Sequence, residues 1–166
     1  MQLFRKLIIA GSLGVLLSSG LVLTTAHADL DFRGTISGDP LDFTGETETP
    51  QFKEFKNTGV NPYNGDQEAM NKGYVIFATA CSGCHGHLAE GKLGPALSDD
   101  YWTYPGNRQD KGLFETIYGG ADGQMGPQQG LLEPDEILHV MSWVRGWQTE
   151  PAKTKKAVEA YEKRNG

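Results

Sequence analysis

An all-α fold is what this sequence predicts, on three observations. Apolar residues recur at helical intervals over 70–81 and again over 137–144, which gives each stretch one buried face. Glycine pairs and Gly-Pro steps cut the chain into short helices joined by loops. Third, a Cys81-Ser82-Gly83-Cys84-His85 run closes the first periodic stretch. With 22 glycines in 166 residues the chain is loop-rich, and a small chain of that kind has trouble burying enough apolar surface by itself.

The elements follow in chain order. Arg5 and Lys6, an apolar stretch over 7–23, and Ala26-His27-Ala28 form the charged region, apolar region and small-residue cleavage site of a secretory signal peptide. Cleavage is expected after Ala28. The alternative is an uncleaved anchor, but the stretch is slightly short for a span and Ser12, Ser18, Ser19 and Gly20 interrupt it. The exported part, residues 29–166, is of single-domain length. Removing the signal takes away two basic residues and no acids, leaving 13 basic against 21 acidic, a net charge of −8. Such a surface argues against nucleic acid and for a partner with a basic patch.

Residues 29–60 read as an acidic N-terminal extension, with six acids and one base, Arg33, over 29–51. Leu30-Asp31-Phe32-Arg33-Gly34 is echoed by Leu41-Asp42-Phe43-Thr44-Gly45, too little for a repeat architecture. The expectation is an arm that lays its Leu and Phe residues on its own domain; a partner-docking arm is the alternative. Asn64-Gly65-Asp66-Gln67 then reads as a helix start with Asn64 as N-cap, and the helix is predicted to run to about Cys81. Met70, Gly73, Tyr74, Phe77 and Cys81 form its buried face. Gly73 costs about 1 kcal/mol of helix propensity, so a second helix is expected to cross there.

The Cys81–His85 run carries the chemistry. A C-x-x-C-H sequence is the attachment signature of c-type haem. Two thiols three residues apart on one helical turn can each form a thioether to a vinyl group, and the following histidine is set under the iron. Export supports this, because such haem is generally attached outside the cytoplasm, and no cysteine is left over for disulfides. A zinc site would need Cys81 and Cys84 with two of His85, His87 and His139, an irregular set. A thioredoxin-like dithiol would need a preceding strand, where this chain reads as helix. Haem is favoured, and it would supply much of the missing core.

Beyond the motif, the carbonyl of Pro95 in Gly94-Pro95-Ala96-Leu97 is the candidate acceptor for the Nδ1–H of His85, since ligating histidines usually donate their other nitrogen. Residues 112–118 read as a short helix stopped by Gly119-Gly120. Candidates for the second axial ligand are Met70, Met125, Met141, His87 and His139. Met125 is preferred: it lies between glycines in Gly123-Gln124-Met125-Gly126-Pro127, with no apolar stripe to join. His/Met ligation closes both iron positions and favours electron transfer over oxygen chemistry. The last helix starts at Pro134, with Asp135 and Glu136 in its first turn, Glu133 as a weak cap, and Trp143 beside the stripe Ile137, Val140, Met141, Val144. Residues 148–166 form a tail of alternating charge that reads as a solvated, fraying helix.

Taken together, Gly73, Phe77, the C-x-x-C-H run, Gly94-Pro95, the Met125 loop and Trp143 resemble class I cytochrome c over 61–147. The resemblance implies an all-α fold with the first and last helices crossing near Gly73. Longer stretches resemble the cytochrome c-L family: Asn61-Pro62-Tyr63-Asn64-Gly65, the run from Cys81 through Gly86-His87-Leu88-Ala89-Glu90-Gly91 to Pro95, Tyr101-Trp102-Thr103-Tyr104-Pro105, and residues 119–127. This second resemblance implies a periplasmic electron carrier, not an enzyme. It would take single electrons from a quinoprotein methanol dehydrogenase and pass them to another cytochrome c. It also implies Cys81 and Cys84 on the haem, His85 and Met125 on the iron, and Pro95 orienting His85. Tyr101, Trp102, Tyr104 and Arg108 become candidates for haem packing or propionate contacts, or are plain core and surface. Some family members bind calcium, for which Asp99 and Asp100 give no assignable spacing. A monomer is expected, with no membrane contact after cleavage. The alternatives are a general periplasmic cytochrome serving another dehydrogenase or an oxidase, and a haem enzyme or gas sensor with an open iron position.

Overall fold

The computed structural model describes residues 29–165; the signal segment and its cleavage site lie outside the described residues. Six α-helices succeed one another: α1 (Pro50–Thr58), α2 (Gln67–Ala80), α3 (Ser82–His85), α4 (Asp110–Gly119), α5 (Pro134–Thr149) and α6 (Pro151–Asn165), with a 3-10 turn at Pro105–Arg108. Among the described residues there is no strand, only an isolated antiparallel bridge between Arg33 and Pro40.

The α2–α5 crossing organises the fold. A Cβ on Gly73 would lie 2.0 Å from the carbonyl oxygen of His139, so only glycine lets the two backbones approach this closely. Trp143 fills the adjoining space, its ring 4.3 Å from Phe77 and 5.6 Å from Tyr74. The start of α2 differs from the sequence expectation. Asp66, not Asn64, is the N-cap, its carboxylate accepting from Ala69 N at 2.8 Å. Asn64 instead donates its amide to Asp110 Oδ2 at 2.7 Å. Helix α4 is longer than the predicted 112–118, because Asp110 at its head is fixed by Arg145 Nε at 2.7 Å as well as by Asn64. At the head of α5, Glu136 folds back to accept the Glu133 N–H at 2.9 Å, so the weak cap works with help from the first turn.

One helix and the docking of another were not expected. Helix α1 begins at Thr49, whose hydroxyl accepts from Phe52 N at 3.0 Å, has Pro50 in its first turn, and ends at Gly59 with φ 69°. It turns Phe52 and Phe55 into the core. Against these the arm lays Phe32, 5.4 Å from Phe55, and Phe43, 5.3 Å from Phe52 and 5.1 Å from Tyr118. Tyr118 Oη donates to the Asp42 carbonyl and to Glu46 Oε1, both at 2.7 Å, which fastens the arm to α4. The second is α6. It is not a solvated tail: Thr154 and Val158 are buried, and the Tyr161 ring lies 5.7 Å from Tyr74. Gly146 of α5 admits this approach, since a Cβ there would meet Met70 Cε at 2.3 Å and Thr154 Oγ1 at 2.7 Å.

Candidate functional site

The C-x-x-C-H run sits where α2 ends. Cys81 N donates to Phe77 O at 2.8 Å as the last bond of α2, and Cys84 N and His85 N both turn back to Cys81 O, at 3.1 and 3.0 Å. The single turn α3 and its cap residue Cys81 present both sulfurs and the imidazole from five consecutive residues. Both thiols are free; Cys81 is half-buried and Cys84 exposed. Burial, and then the neighbouring Cys84, push the Cys81 thiol up to about 11, so it stays protonated at neutral pH.

His85 is buried at 8% exposure, and its Nδ1 lies 2.9 Å from Pro95 O. An Nδ1–H donating to that carbonyl leaves Nε2 as the lone-pair nitrogen, the form a metal requires. The loop that brings Pro95 there is tied down by backbone bonds: Gly91 N to His85 O at 2.7 Å, Gly94 N to Cys84 O at 2.8 Å, and Leu97 N to Ala89 O at 2.8 Å. Gly94 lies flat against the imidazole, for a Cβ there would come within 2.8 Å of His85 Cε1. Ala89 holds φ 62°, a left-handed bend unusual for an L side chain. Beside it, backbone N–H groups of Glu90 itself and of Leu88 hold the Glu90 carboxyl below the usual carboxylate range. Proline is apt at position 95, because its carbonyl accepts while it has no N–H to satisfy.

The Met125 loop is separately braced. Met125 packs partly buried against the core. Ala121 N donates to Met125 O at 2.9 Å, and Gly120, at φ 84°, has no room for a Cβ, which would meet Pro127 N at 2.8 Å. Tyr104 reaches this loop: its Oη accepts from Asp122 N at 3.0 Å. Trp102 is buried, with the Arg145 guanidinium 5.3 Å from its ring centre. Tyr101 is 68% exposed and Arg108 is exposed on the 3-10 turn. Sequence reasoning did not single out Arg145. It is buried and donates to Asp110 Oδ1 at 2.7 Å and to Asn107 O at 2.8 Å, linking α5 to α4 and to the segment behind Trp102. The available signal was a charged residue inside the otherwise buried run of α5.

The arrangement fits a covalent haem better than its rivals. The thiols are unpaired, the histidine is oriented through Nδ1, and a glycine lets the loop backbone pack directly on its ring. The other two histidines among the described residues are engaged elsewhere: His87 Nε2 lies 2.5 Å from Glu162 Oε1, and His139 Nδ1 lies 2.9 Å from Asp135 O, its ring 4.2 Å from Tyr63. Among the described residues no group of three or more His, Cys, Asp or Glu side chains could hold a metal ion, so the zinc reading finds no ligand set. Asp99 Oδ1 takes the Tyr101 N–H at 3.0 Å. A helix precedes Cys81 where a dithiol motif wants a strand. Among the described residues no helix is long and apolar enough to cross a membrane.

Comparison with known proteins gives the same direction. Residues 68–144 match the family described as cytochrome C oxidase, cbb3-type, subunit III. Over 124 residues the chain is 52% identical to the cytochrome c-L of Methylorubrum extorquens, covering 72% of this chain and 63% of that protein. Among solved structures, the cytochrome cL of the marine methylotroph Methylophaga aminisulfidivorans is 55% identical with a TM-score of 0.69, over 75% of this chain and 91% of the other. That of Hyphomicrobium denitrificans is 50% identical with a TM-score of 0.68, over 71% and 73%.

Proposed function

Because this chain belongs to the cytochrome c-L family, we propose that it is a periplasmic electron carrier with one covalent haem c, reduced one electron at a time by a PQQ-dependent methanol dehydrogenase and oxidised by another cytochrome c. Cys81 and Cys84 hold the porphyrin by thioethers. His85 and Met125 would hold the iron, and Pro95 would orient His85. When bound, the haem supplies a one-electron couple, and the protein's part is to hold it and set its surroundings. The observation that carries this is the 2.9 Å contact between His85 Nδ1 and Pro95 O, with Gly94 beneath the ring: it fixes the tautomer and direction of a ligand directly after two free thiols. The donor assignment is supported by the family and by the acidic surface, which suits a basic docking face on the dehydrogenase.

Mixing the oxidised protein with methanol dehydrogenase and methanol, and following haem reduction at two salt concentrations, tests the partner. Fast, saturable, salt-sensitive reduction is expected; reduction no faster than that of an arbitrary cytochrome c would remove the dehydrogenase. The match to an oxidase subunit over 68–144 favours a second reading, a carrier serving an oxidase, and that slow outcome would favour it. Met125→Ala separates both from a haem enzyme or gas sensor. The wild type is expected to bind cyanide or carbon monoxide slowly and the variant fast, with a lowered reduction potential. Fast binding by the wild type would contradict the closed site.

A further inference from the structure

One side-chain cluster outside the site ties the last helix to the motif. Tyr74 on α2, His87 just past His85, and Glu162 on α6 meet at a single carboxylate oxygen. Glu162 Oε1 accepts from Tyr74 Oη at 2.6 Å and lies 2.5 Å from His87 Nε2, while Tyr74 Oη and His87 Nε2 are 2.9 Å apart. With its proton on Nε2, His87 is the carboxylate's second donor. His87 opens the loop whose later residues return Pro95 to His85. Among the described residues, apart from the contact of His85 Nδ1 with Pro95 O itself, the side-chain hydrogen bonds that tie residues 86–97 to helices are those of His87, to α2 and α6. The other side-chain pin, Glu90 accepting from Leu88 N at 2.7 Å, is internal to the loop and would move with it.

We propose that Glu162 is a positioning residue for the haem site: from α6 it anchors His87 and so holds the loop that delivers the Pro95 carbonyl to His85. The inference rests on His85 being an iron ligand. It adds that the helix beyond the family's haem-bearing core takes part in orienting that ligand, because a loop fixed at His87 holds the acceptor of Nδ1–H still, and that acceptor sets the ring's angle and basicity.

The test uses the haem-loaded full chain in its reduced, diamagnetic state, with proton exchange followed by NMR. Glu162→Ala is expected to speed exchange of the His85 Nδ1–H and of the Gly91 and Gly94 amides about tenfold, the factor that loss of a charge-assisted hydrogen bond implies. Amides of α4 should keep wild-type protection. Glu162→Gln, which retains an acceptor oxygen, should recover most of the protection, and Glu159→Ala, on the exposed face of the same helix, should leave it unchanged. Unaltered His85 Nδ1–H exchange in Glu162→Ala overturns the proposal. Equal loosening of α4 overturns it too, since that marks a general loss of stability. The wild-type spectrum separates this from failure of the ligand reading. If the His85 ring protons lack the large ring-current shifts of an axial ligand, that reading falls; if they carry them and exchange is unmoved by Glu162→Ala, only the positioning role falls.

Discussion

A methyl group on residue 73 would press on a carbonyl oxygen of the neighbouring helix from 2.0 Å, and a backbone cannot swing aside as a flexible side chain would. Gly73→Ala is therefore expected to cost about 3 kcal/mol, the upper range for overpacking, and to lower the urea midpoint accordingly. An unchanged midpoint would mean that the crossing gives way easily. Position 73 was legible because it keeps the register of Met70, Tyr74 and Phe77. The helix cap about two turns earlier was not: Asn64 and Asp66 are both good caps, and the choice was made by Asp110, which takes the Asn64 amide from 46 residues away. Tyr63 carries a pH prediction. Burial, and then the charge of Asp135, to which its hydroxyl donates at 3.1 Å, push its pKa from 10.0 up to about 12. The folded value lies above the unfolded one, so this contribution to stability is whole below pH 10 and is lost as pH rises through about 12. Tyr63→Phe is expected to flatten the alkaline limb of the stability profile in that window, measured by denaturant unfolding at stepped pH.

At the scale of elements, helix α1, missing from the sequence reading, and the docked face of α6, read there as solvated, had signals that composition outweighed. Helix α1 carries Thr49-Pro50 at its head, Phe52 and Phe55 three apart, and Gly59 at its end, but it lies in a segment dominated by Gly, Thr, Pro and acids. Helix α6 keeps Thr154, Val158 and Tyr161 at helical spacing under five basic residues. Thr154 and Ala157 are small, and small residues mark a buried face only when the surface they pack on is known. Val158→Ala distinguishes the two descriptions of this helix. A docked α6 predicts a loss of about 1.6 kcal/mol for the two carbon groups removed from a site only 2% exposed. A solvated tail predicts a change within about 0.5 kcal/mol. Equilibrium unfolding monitored through Trp143, which lies against Tyr74 beside Tyr161, would read the difference.

At the scale of the molecule, the all-α class was legible because helical periodicity is local, and the C-x-x-C-H run was legible because all five residues are adjacent. What bridges distant segments was not. Arg145 joins α5 to Asp110 and Asn107, and Glu162 reaches His87 across 75 residues; neither pairing leaves a trace in spacing. Charge is the global property with a kinetic consequence. Asp39 is exposed on the arm and can be reversed without touching the core. Asp39→Lys is expected to slow reduction by the dehydrogenase about threefold at low salt, with the difference closing at high salt as screening shortens the reach of exposed charges. A salt-independent difference, or none at low salt, would place docking away from the arm.

The arm's anchoring changes what those charges can do. Phe32 and Phe43 are fastened among the rings of α1 and α4, and Tyr118 grips the chain between them. Six carboxylates on a loose tether would average to a diffuse cloud that attracts from every side alike. Held in a constant pattern on a rigid body, they instead form a field with a direction, which can turn an approaching partner before the surfaces meet. The ordering of that segment is also already complete before any encounter, so a collision that succeeds need not first freeze a chain. For a shuttle that must bind, exchange one electron and leave, attraction that orients without tightening shortens the search and does not prolong the stay.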